Sequence, residues 1–282
     1  MKTRLPFALL ALFAFGPALG GETVWQEVMP DVSIRLISAD VMDAENRAWI
    51  ALEIDMPETI NTYWRVPGES GIPPQFDFSG STGIGDHEIA WPYPTRRENQ
   101  AYLDHAYYGH TVLPIAIDVT GDTPVVELAA VLGICSEVCL PVNMDFTLGI
   151  DSEAPDRPNM LRIEQARAQV PIAWEGPDVI GDVVYDADKG ALVAALDDPA
   201  FPASTAIADI AGRMLLFGPP VVEDGALYFP LFGRPSSGLA EGEAVHITFT
   251  GPDGPYEIVR PLGLGEPSPS VNVKLDGTSQ VH

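Results

Sequence analysis

The stretch "VVELAAVLGICSEVCLPVNMDFTLGI" (residues 125–150) contains two strand-like patterns with a pair of cysteines between them. Apolar residues alternate along the run that ends at Ile134 and along the run that begins at Asn143, and this period is typical of strands. Cys135 and Cys139, the only two cysteines of the chain, lie in the hairpin or loop that we expect between the two strands. This stretch therefore predicts β structure and places both sulfur atoms at one turn.

Further stretches with the same alternation lie amino-terminal to this hairpin. They are "VSIRLISADV" (32–41), "AWIALEIDM" (48–56), "HEIAWPYP" (87–94) and "LPIAIDV" (113–119). The 27 prolines and 26 glycines of the chain indicate many turns and strand edges. Residues 21–152 are therefore predicted to form an antiparallel β-sandwich, and the fold class of the whole chain is predicted to be all-β.

One helix and a second group of strands follow. Helix-forming residues run from Asn159 to Ala168 after a proline suited to a first turn, and they predict a helix within a linker of residues 153–170. Three later strand pairs have turn signals, and these are Asp188-Lys189-Gly190, Asp224-Gly225 and Asp253-Gly254. We expect a second β-sandwich without cysteines over residues 171–262, and a flexible tail rich in Pro, Ser and Gly over residues 263–282.

Residues 1–20 have the pattern of a secretory signal peptide. Lys2 and Arg4 precede an apolar run, and Ala18-Leu19-Gly20 matches the small residues of a cleavage site. No later stretch has the roughly 20 apolar residues of a membrane-spanning helix. We therefore expect an exported protein, without membrane insertion, in an oxidising compartment where disulfides persist.

The formal net charge of −25 is a second constraint on function. A field of this sign repels the phosphates of nucleic acids and the anionic surface of membranes. We therefore expect neither nucleic acid nor a membrane surface among the partners.

Three roles are open to the cysteine pair on its residues alone. As a structural staple, a five-residue loop gains only about 2 kcal/mol, against about 4.7 kcal/mol for a 100-residue loop. As metal ligands, Cys135 and Cys139 would join His105 and His110 in a donor set suited to Cu(I) or Zn(II). As a redox pair, two cysteines that close easily and stabilise weakly suit reversible oxidation.

The sequence resembles the amino-terminal periplasmic domain of thiol:disulfide interchange proteins of the DsbD and ScsB (copper-sensitivity suppressor) type. The matching segments are "NTYWRVPGESGIPPQFDFSGS" (61–81), "IAWPYPTRR" (89–97), "AYYGHTVLPIAI" (106–117) and "GICSEVCLPVNM" (133–144). The carboxy-terminal half resembles the second periplasmic domain of the longer ScsB-type members, with weaker motifs. The resemblance implies an immunoglobulin-like domain that acts as a component of a protein-disulfide reductase.

The resemblance also implies roles for particular residues. Cys135 and Cys139 would be the exchanging pair, with Cys139 as the attacking thiol. Tyr107 and Tyr108 match a segment whose aromatic side chain shields the sulfurs until a partner docks. Tyr63 and Trp64 match an aromatic segment close to the pair, and we expect both to contribute to this shield.

Two departures from the family pattern affect these expectations. Three residues separate the cysteines here, as in the ScsB-like branch, whereas other members have five. Those members also have acidic residues before the shielding aromatic, where this chain has His105 and Ala106. We expect His105 to take over any proton handling at this position.

The family implies electron transfer in the periplasm with no cofactor besides the disulfide. We expect a membrane electron conduit and thioredoxin-like proteins, supplied by other polypeptides, as partners. The receiving pathway would be cytochrome c maturation, disulfide isomerisation or copper tolerance. The alternative prediction is a non-catalytic module that binds copper, or acts as a scaffold, with a static disulfide.

Overall fold

The computed structural model describes residues 21–98, 102–233 and 238–265. Strands make up most of these residues, and one α-helix separates two groups of strands, so the predicted all-β fold class is confirmed. The predicted signal peptide lies outside the described residues, as does most of the predicted tail. No helix in the described ranges has the length and apolar character needed to cross a membrane.

The first group of strands forms two facing sheets. The strands are β1 (Gln26–Met29), β2 (Val32–Met42), β3 (Arg47–Asp55), β4 (Asn61–Gly68), β5 (Gln75–Asp77), β6 (Ile84–Ile89), β7 (Thr95–Glu98), β8 (Leu103–Tyr108), β9 (Thr111–Val119), β10 (Val125–Cys135) and β11 (Cys139–Gly149). One sheet has the order β1-β2-β3-β9-β6, and the other has the order β11-β10-β4-β8-β7 with β5 paired to β10. We call the second one the disulfide sheet.

The core of the first domain lies between these two sheets. Along β10, Val126, Leu128 and Leu132 are buried, while Glu127 and Ala129 on the opposite face are exposed. This alternation follows from the period of two in strand geometry, which sends successive side chains to opposite faces. Side chains from the facing sheet complete one continuous apolar cluster.

Helix α1 (Arg157–Arg167) covers the outer face of the other sheet. It begins after Asp156, whose carboxylate accepts a hydrogen bond from the backbone N–H of Asn159. Ile163 is buried against Ile37 and Ala51, so both faces of β2 and β3 are covered. The predicted helix is present, but it begins two residues earlier than its predicted first residue.

The second group of strands encloses a separate core. The strands are β12 (Ile172–Ala173), β13 (Ile180–Asp186), β14 (Ala191–Leu196), β15 (Ile207–Ile210), β16 (Leu216–Phe217), β17 (Val221–Glu223), β18 (Ala226–Phe232), β19 (Ala244–Gly251) and β20 (Gly254–Leu264), with a short 3₁₀ turn at Ala203–Thr205. The three predicted turns join β13 to β14, β17 to β18 and β19 to β20.

Most strand pairs of this second domain are antiparallel, as predicted, and two pairs are parallel. All nine strands belong to one hydrogen-bonded sheet, and side chains from both ends of its strand order share one core. The sheet is continuous because β13 pairs with β20 in parallel, and β12 is also parallel to β20. Strand β20 continues to Leu264, so it includes two residues that the sequence assigned to the tail.

Candidate functional site

The two cysteines are directly opposite each other in one hairpin. Cys135 ends β10, Cys139 begins β11, and the two residues are partners in the antiparallel register. Their sulfur atoms form a disulfide, and their Cα atoms are 4.1 Å apart. Strands β10 and β11 are paired continuously from Val125 opposite Gly149 to this cysteine pair. The hairpin therefore holds the two sulfurs close together whether or not they are bonded.

The two cysteine residues differ in their exposure to solvent. Cys135 is buried, whereas Cys139 is only partly buried. Val138 is 64% exposed and Leu140 is 48% exposed, so apolar side chains flank Cys139 at the surface. A docking protein can therefore reach Cys139 more readily than Cys135.

Tyr63 on β4 contacts both sulfurs. Its hydroxyl lies 3.0 Å from Cys135 Sγ and 3.2 Å from Cys139 Sγ, within hydrogen-bonding distance of each. The ring is buried and lies against the backbone of two glycines, since a Cβ on Gly71 or Gly133 would come within 2.7 or 3.1 Å of it. These close approaches leave the ring little room to rotate, so the position of its hydroxyl follows the position of the β4 backbone.

The Tyr63 hydroxyl remains protonated at neutral pH. Burial raises its pKa, although hydrogen bonds with Asn61 and Ser70 act in the opposite direction. A bonded sulfur carries no proton, so the tyrosine is the donor in these contacts. The site therefore supplies one hydrogen-bond donor to whichever sulfur carries negative charge.

Tyr108 on β8 packs on the same side as Tyr63. Tyr108 and Cys139 are the partly buried members of a cluster whose buried members are Tyr63, Ala106 and Cys135. The guanidinium of Arg97 lies 3.9 Å from the centroid of the Tyr108 ring, which is a cation–π contact. Tyr63 and Tyr108 are thus the two predicted shielding residues that the fold brings to the disulfide.

A buried carboxylate lies on the same face of β8. Asp104 accepts a hydrogen bond of 2.7 Å from the Ser70 hydroxyl, and its negative charge contributes to raising the pKa of Tyr63 and of Tyr108. Residues 104, 106 and 108 alternate along the strand, so their side chains point to one face. The sequence analysis did not identify Asp104, Ser70 or Arg97, because β8 has no alternation of apolar and polar residues by which it could be recognised. Only once β8 is known to be a strand does its period of two place Asp104 on the same face as Tyr108.

Tyr107 and Trp64 do not cover the sulfurs, contrary to the expectation from the sequence. Both belong to the core between the sheets, and the Tyr107 hydroxyl donates a hydrogen bond of 2.7 Å to the Pro92 carbonyl. The reason is that neighbouring residues on a strand face opposite sides. Since Tyr63 and Tyr108 face the disulfide, Trp64 and Tyr107 must face the interior.

His105 also faces the interior, so its predicted role in proton handling at the sulfurs is not supported by its position. Its ring is buried edge-on against Trp64, and its Nδ1 lies 3.2 Å from the Val66 carbonyl oxygen. Burial lowers the pKa of His105 to about 4. The imidazole is therefore neutral at neutral pH.

The four predicted metal ligands do not converge. His110 Nε2 lies 2.9 Å from the buried Glu53 carboxylate beside helix α1, whereas His105 lies in the core and the two sulfurs are bonded to each other. Within the described ranges, no group of three or more His, Cys, Asp or Glu side chains is arranged to hold a metal ion.

Comparison with known proteins agrees with this geometry. Residues 28–149 match the family model for the amino-terminal domain of the thiol:disulfide interchange protein DsbD. Among solved structures, the N-terminal periplasmic domain of ScsB from Proteus mirabilis is similar to the chain, with a TM-score of 0.64 and 21% identity over 87% of this chain and 99% of that one. No curated protein sequence matches the chain. The predicted family resemblance is confirmed, and the likeness in fold extends over both domains.

Proposed function

We propose, on the premise that residues 28–149 form a DsbD-type amino-terminal domain, that this protein is a thiol-disulfide exchange carrier. It passes reducing equivalents through the reversible Cys135–Cys139 disulfide to exported partner proteins. The observation that carries the proposal is the combination of a partly exposed Cys139 with the Tyr63 hydroxyl at both sulfurs. A bridge that served only as a staple would need neither an accessible sulfur nor a directed donor.

The proposed reaction is a sequence of two exchanges. In the reduced protein, the Cys139 thiolate attacks a partner disulfide, a mixed disulfide forms, and one partner sulfur leaves as a thiolate. The Cys135 thiolate then attacks Cys139 Sγ, so the intramolecular disulfide forms and the second partner sulfur leaves. The partner gains two electrons and two protons, and this protein is reoxidised. A dithiol of an electron-donating protein reverses the same steps.

Tyr63 has a defined part in this chemistry. Hydrogen bonds to charged sulfur are stronger than those to neutral sulfur, so its hydroxyl stabilises the thiolate that each step produces or consumes. The same bond lowers the thiol pKa and increases the thiolate fraction on which the rate of exchange depends.

The aromatic side chains also protect the reduced pair. A reduced dithiol in an oxidising compartment must be kept from small oxidants, which react with exposed thiolates. Tyr108 covers the cluster from the side of β8 and is itself only partly buried, so a docking protein can displace it. This arrangement restricts exchange to partners that dock on the hairpin.

We propose the periplasm as the location and two classes of protein as partners. The ScsB domain of similar fold is periplasmic, and an acidic, exported chain with the predicted signal peptide fits the same compartment. A membrane electron conduit would supply electrons, and thioredoxin-like proteins would receive them for cytochrome c maturation, disulfide isomerisation or copper tolerance.

The proposal is tested by trapping the mixed disulfide. With Cys135→Ala, the remaining Cys139 thiol should form a stable mixed disulfide with a thioredoxin-like protein whose second active-site cysteine is also replaced, because neither protein then keeps a thiol that can resolve the bond. The matched variant Cys139→Ala retains the buried thiol and should trap far less. The wild-type pair should also equilibrate reversibly with glutathione. A disulfide whose reduction potential lies below about −300 mV, and whose Cys135→Ala variant traps no partner, would be a static bridge.

A further inference from the structure

The second domain is bound to the disulfide sheet by a partly buried group of ion pairs. Arg65 on β4 donates hydrogen bonds of 2.7 Å to Asp209 and 2.9 Å to Glu257, which belong to β15 and β20. Asp209 is 3% exposed. Burial would raise the pKa of Glu257, but hydrogen bonding to His246 and the charge of Arg65 lower it to about 2, so it is ionised. One cation of the first domain is thus held by two carboxylates of the second.

A second contact between the domains lies on β7. Arg96 donates to the Ala206 carbonyl at 2.9 Å and to the Ser204 carbonyl, and the Tyr93 hydroxyl donates to the Thr205 carbonyl. Apolar side chains of the second domain, those of Ile207 and Leu216, join the core of the first. The second domain therefore holds β4 and β7, the two strands that flank β8 in the disulfide sheet.

Each of these strands also carries a side chain that contacts the redox cluster. On β4, Tyr63 is two residues before Arg65 and donates to the sulfurs. On β7, Arg97 follows Arg96 and lies against the Tyr108 ring. The same short strands thus connect the second domain to both tyrosines at the disulfide.

Backbone pairing with β8 fixes β4 as far as Tyr63 but not the residues that follow it. Its register with β8 is regular from Asn61 to Tyr63, is interrupted, and resumes only at Gly68. Its backbone pairing with β10 is confined to Asn61 opposite Cys135. The segment from Trp64 to Pro67 therefore depends on side-chain contacts, and those of Arg65 are the charged ones among them.

We propose that Arg65 is a positioning residue through which the second domain sets the redox equilibrium of the Cys135–Cys139 pair. Its pairing with Asp209 and Glu257 anchors β4, and this anchor keeps the Tyr63 hydroxyl at the sulfurs. The inference rests on the proposed function, because it assumes that the pair is reduced and reoxidised. It assigns to the cysteine-free domain the role of a support for the site.

The direction of the effect follows from the hydrogen bond. The Tyr63 hydroxyl stabilises a reduced sulfur more than a bonded one, so it favours reduction of the pair. Loosening β4 weakens that bond and makes the disulfide harder to reduce. We expect Asp209→Asn to lower the equilibrium constant for reduction by about three- to tenfold, which corresponds to a potential more negative by about 15 to 30 mV.

The experiment is a double-mutant cycle on the full chain. Wild type, Asp209→Asn, Tyr63→Phe and the double variant are equilibrated with mixtures of reduced and oxidised dithiothreitol, and the reduced fraction is measured by thiol alkylation. If Asp209 acts through the Tyr63 hydroxyl, Asp209→Asn has little further effect once Tyr63 is phenylalanine. A merely structural role would lower thermal stability without this coupling.

The matched control is Glu243→Gln, which removes an ion pair of 2.6 Å with Arg213 inside the second domain. It should leave the redox equilibrium unchanged. Glu257→Gln removes the other carboxylate of the Arg65 pair and replaces Asp209→Asn if that variant does not fold. The inference is overturned if Asp209→Asn and Glu257→Gln leave the redox equilibrium as unchanged as Glu243→Gln does. It is also overturned if they shift this equilibrium by the same amount in the Tyr63→Phe background as in wild type. A wild-type pair that never equilibrates would instead refute the proposed function.

Discussion

On the inner face of the disulfide sheet lie Trp64, His105 and Tyr107, whereas Tyr63 and Tyr108 lie on its outer face with the sulfurs. Sequence neighbours therefore have different surroundings, since Tyr63 adjoins Trp64 and Tyr107 adjoins Tyr108. The inner side chains are held in a closed core, and the outer ones form a small cluster beside an exposed hairpin tip. One strand can therefore stabilise the core with one face and hold the residues at the disulfide with the other, so substitutions of neighbouring residues can separate the two effects.

The largest effect is expected for truncation of the core near the hairpin. Leu132 on β10 is fully buried, and Leu132→Ala should lower the free energy of unfolding by about 2–5 kcal/mol. Leu140 on β11 is 48% exposed, so Leu140→Ala should change it by less than about 0.5 kcal/mol. Denaturant unfolding of both variants measures the contrast. Equal losses at the two leucines would contradict the division between closed core and open hairpin.

The next effect is a pH dependence that comes from the inner face. Burial lowers the pKa of His105 from 6.5 to about 4, so between these values the unfolded chain binds a proton that the folded protein does not. Stability therefore falls as the pH is lowered from 6.5 towards 4, by up to about 3 kcal/mol at about 1.36 kcal/mol per pKa unit.

This pH dependence is checked with two histidine variants. Unfolding curves at several pH values should show that His105→Gln removes part of the acid sensitivity of wild type. The exposed His87 provides the control, because His87→Gln should leave that sensitivity unchanged. Retention of the full sensitivity by His105→Gln would show that the buried imidazole is not its source.

The sequence predicted the strands whose residues alternate between apolar and polar types, including β2 and β3, although helix α1 covers the outer face of those two. Alternation revealed β10, where buried and exposed residues take turns. It did not reveal β4 or β8, whose residues are almost all buried or partly buried. One face of these strands packs in the core, and the other lies against the redox cluster or the second domain. Neither segment alternates regularly between apolar and polar residues, and such a prediction depends on that alternation.

The same loss of alternation limited the prediction of the site. Without β8 as a strand, Tyr107 and Tyr108 could not be assigned to opposite faces, and both were expected to shield the sulfurs. The cysteine pair itself was found because a hairpin between two patterned strands brings such residues together. The contact of Arg65 with Asp209 joins residues far apart in sequence, and no local pattern indicates which side chains will meet across two domains.

A smaller effect is expected for breaking the disulfide itself. The bridge closes a loop of only five residues, so its loss should lower the free energy of unfolding by about 2 kcal/mol. Unfolding of wild type with and without reductant measures this, and a variant with both cysteines changed to serine should not respond to reductant. If reduction lowered the free energy of unfolding as much as Leu132→Ala does, the disulfide on the outer face would be a major source of stability as well.

The smallest change in stability is expected for Tyr108 on the outer face, whose replacement should instead change the rate of thiol oxidation. Tyr108 is partly buried and stacks on Arg97, so Tyr108→Ala should lower the free energy of unfolding by about 1 kcal/mol. If its ring shields the pair, as we propose, the reduced variant should be oxidised several times faster by hydrogen peroxide, as followed by thiol alkylation.

The neighbouring residue supplies the control for this last comparison. Tyr107→Phe removes the hydrogen bond to Pro92 on the inner face, at a similar cost of about 1 kcal/mol, and leaves the outer cluster intact. Its reduced pair should therefore be oxidised at the wild-type rate. If both variants were oxidised equally fast, the faster reaction would follow from lost stability and not from the loss of a shield. A rate increase confined to Tyr108→Ala would instead attribute the protection of the thiols to the outer face alone.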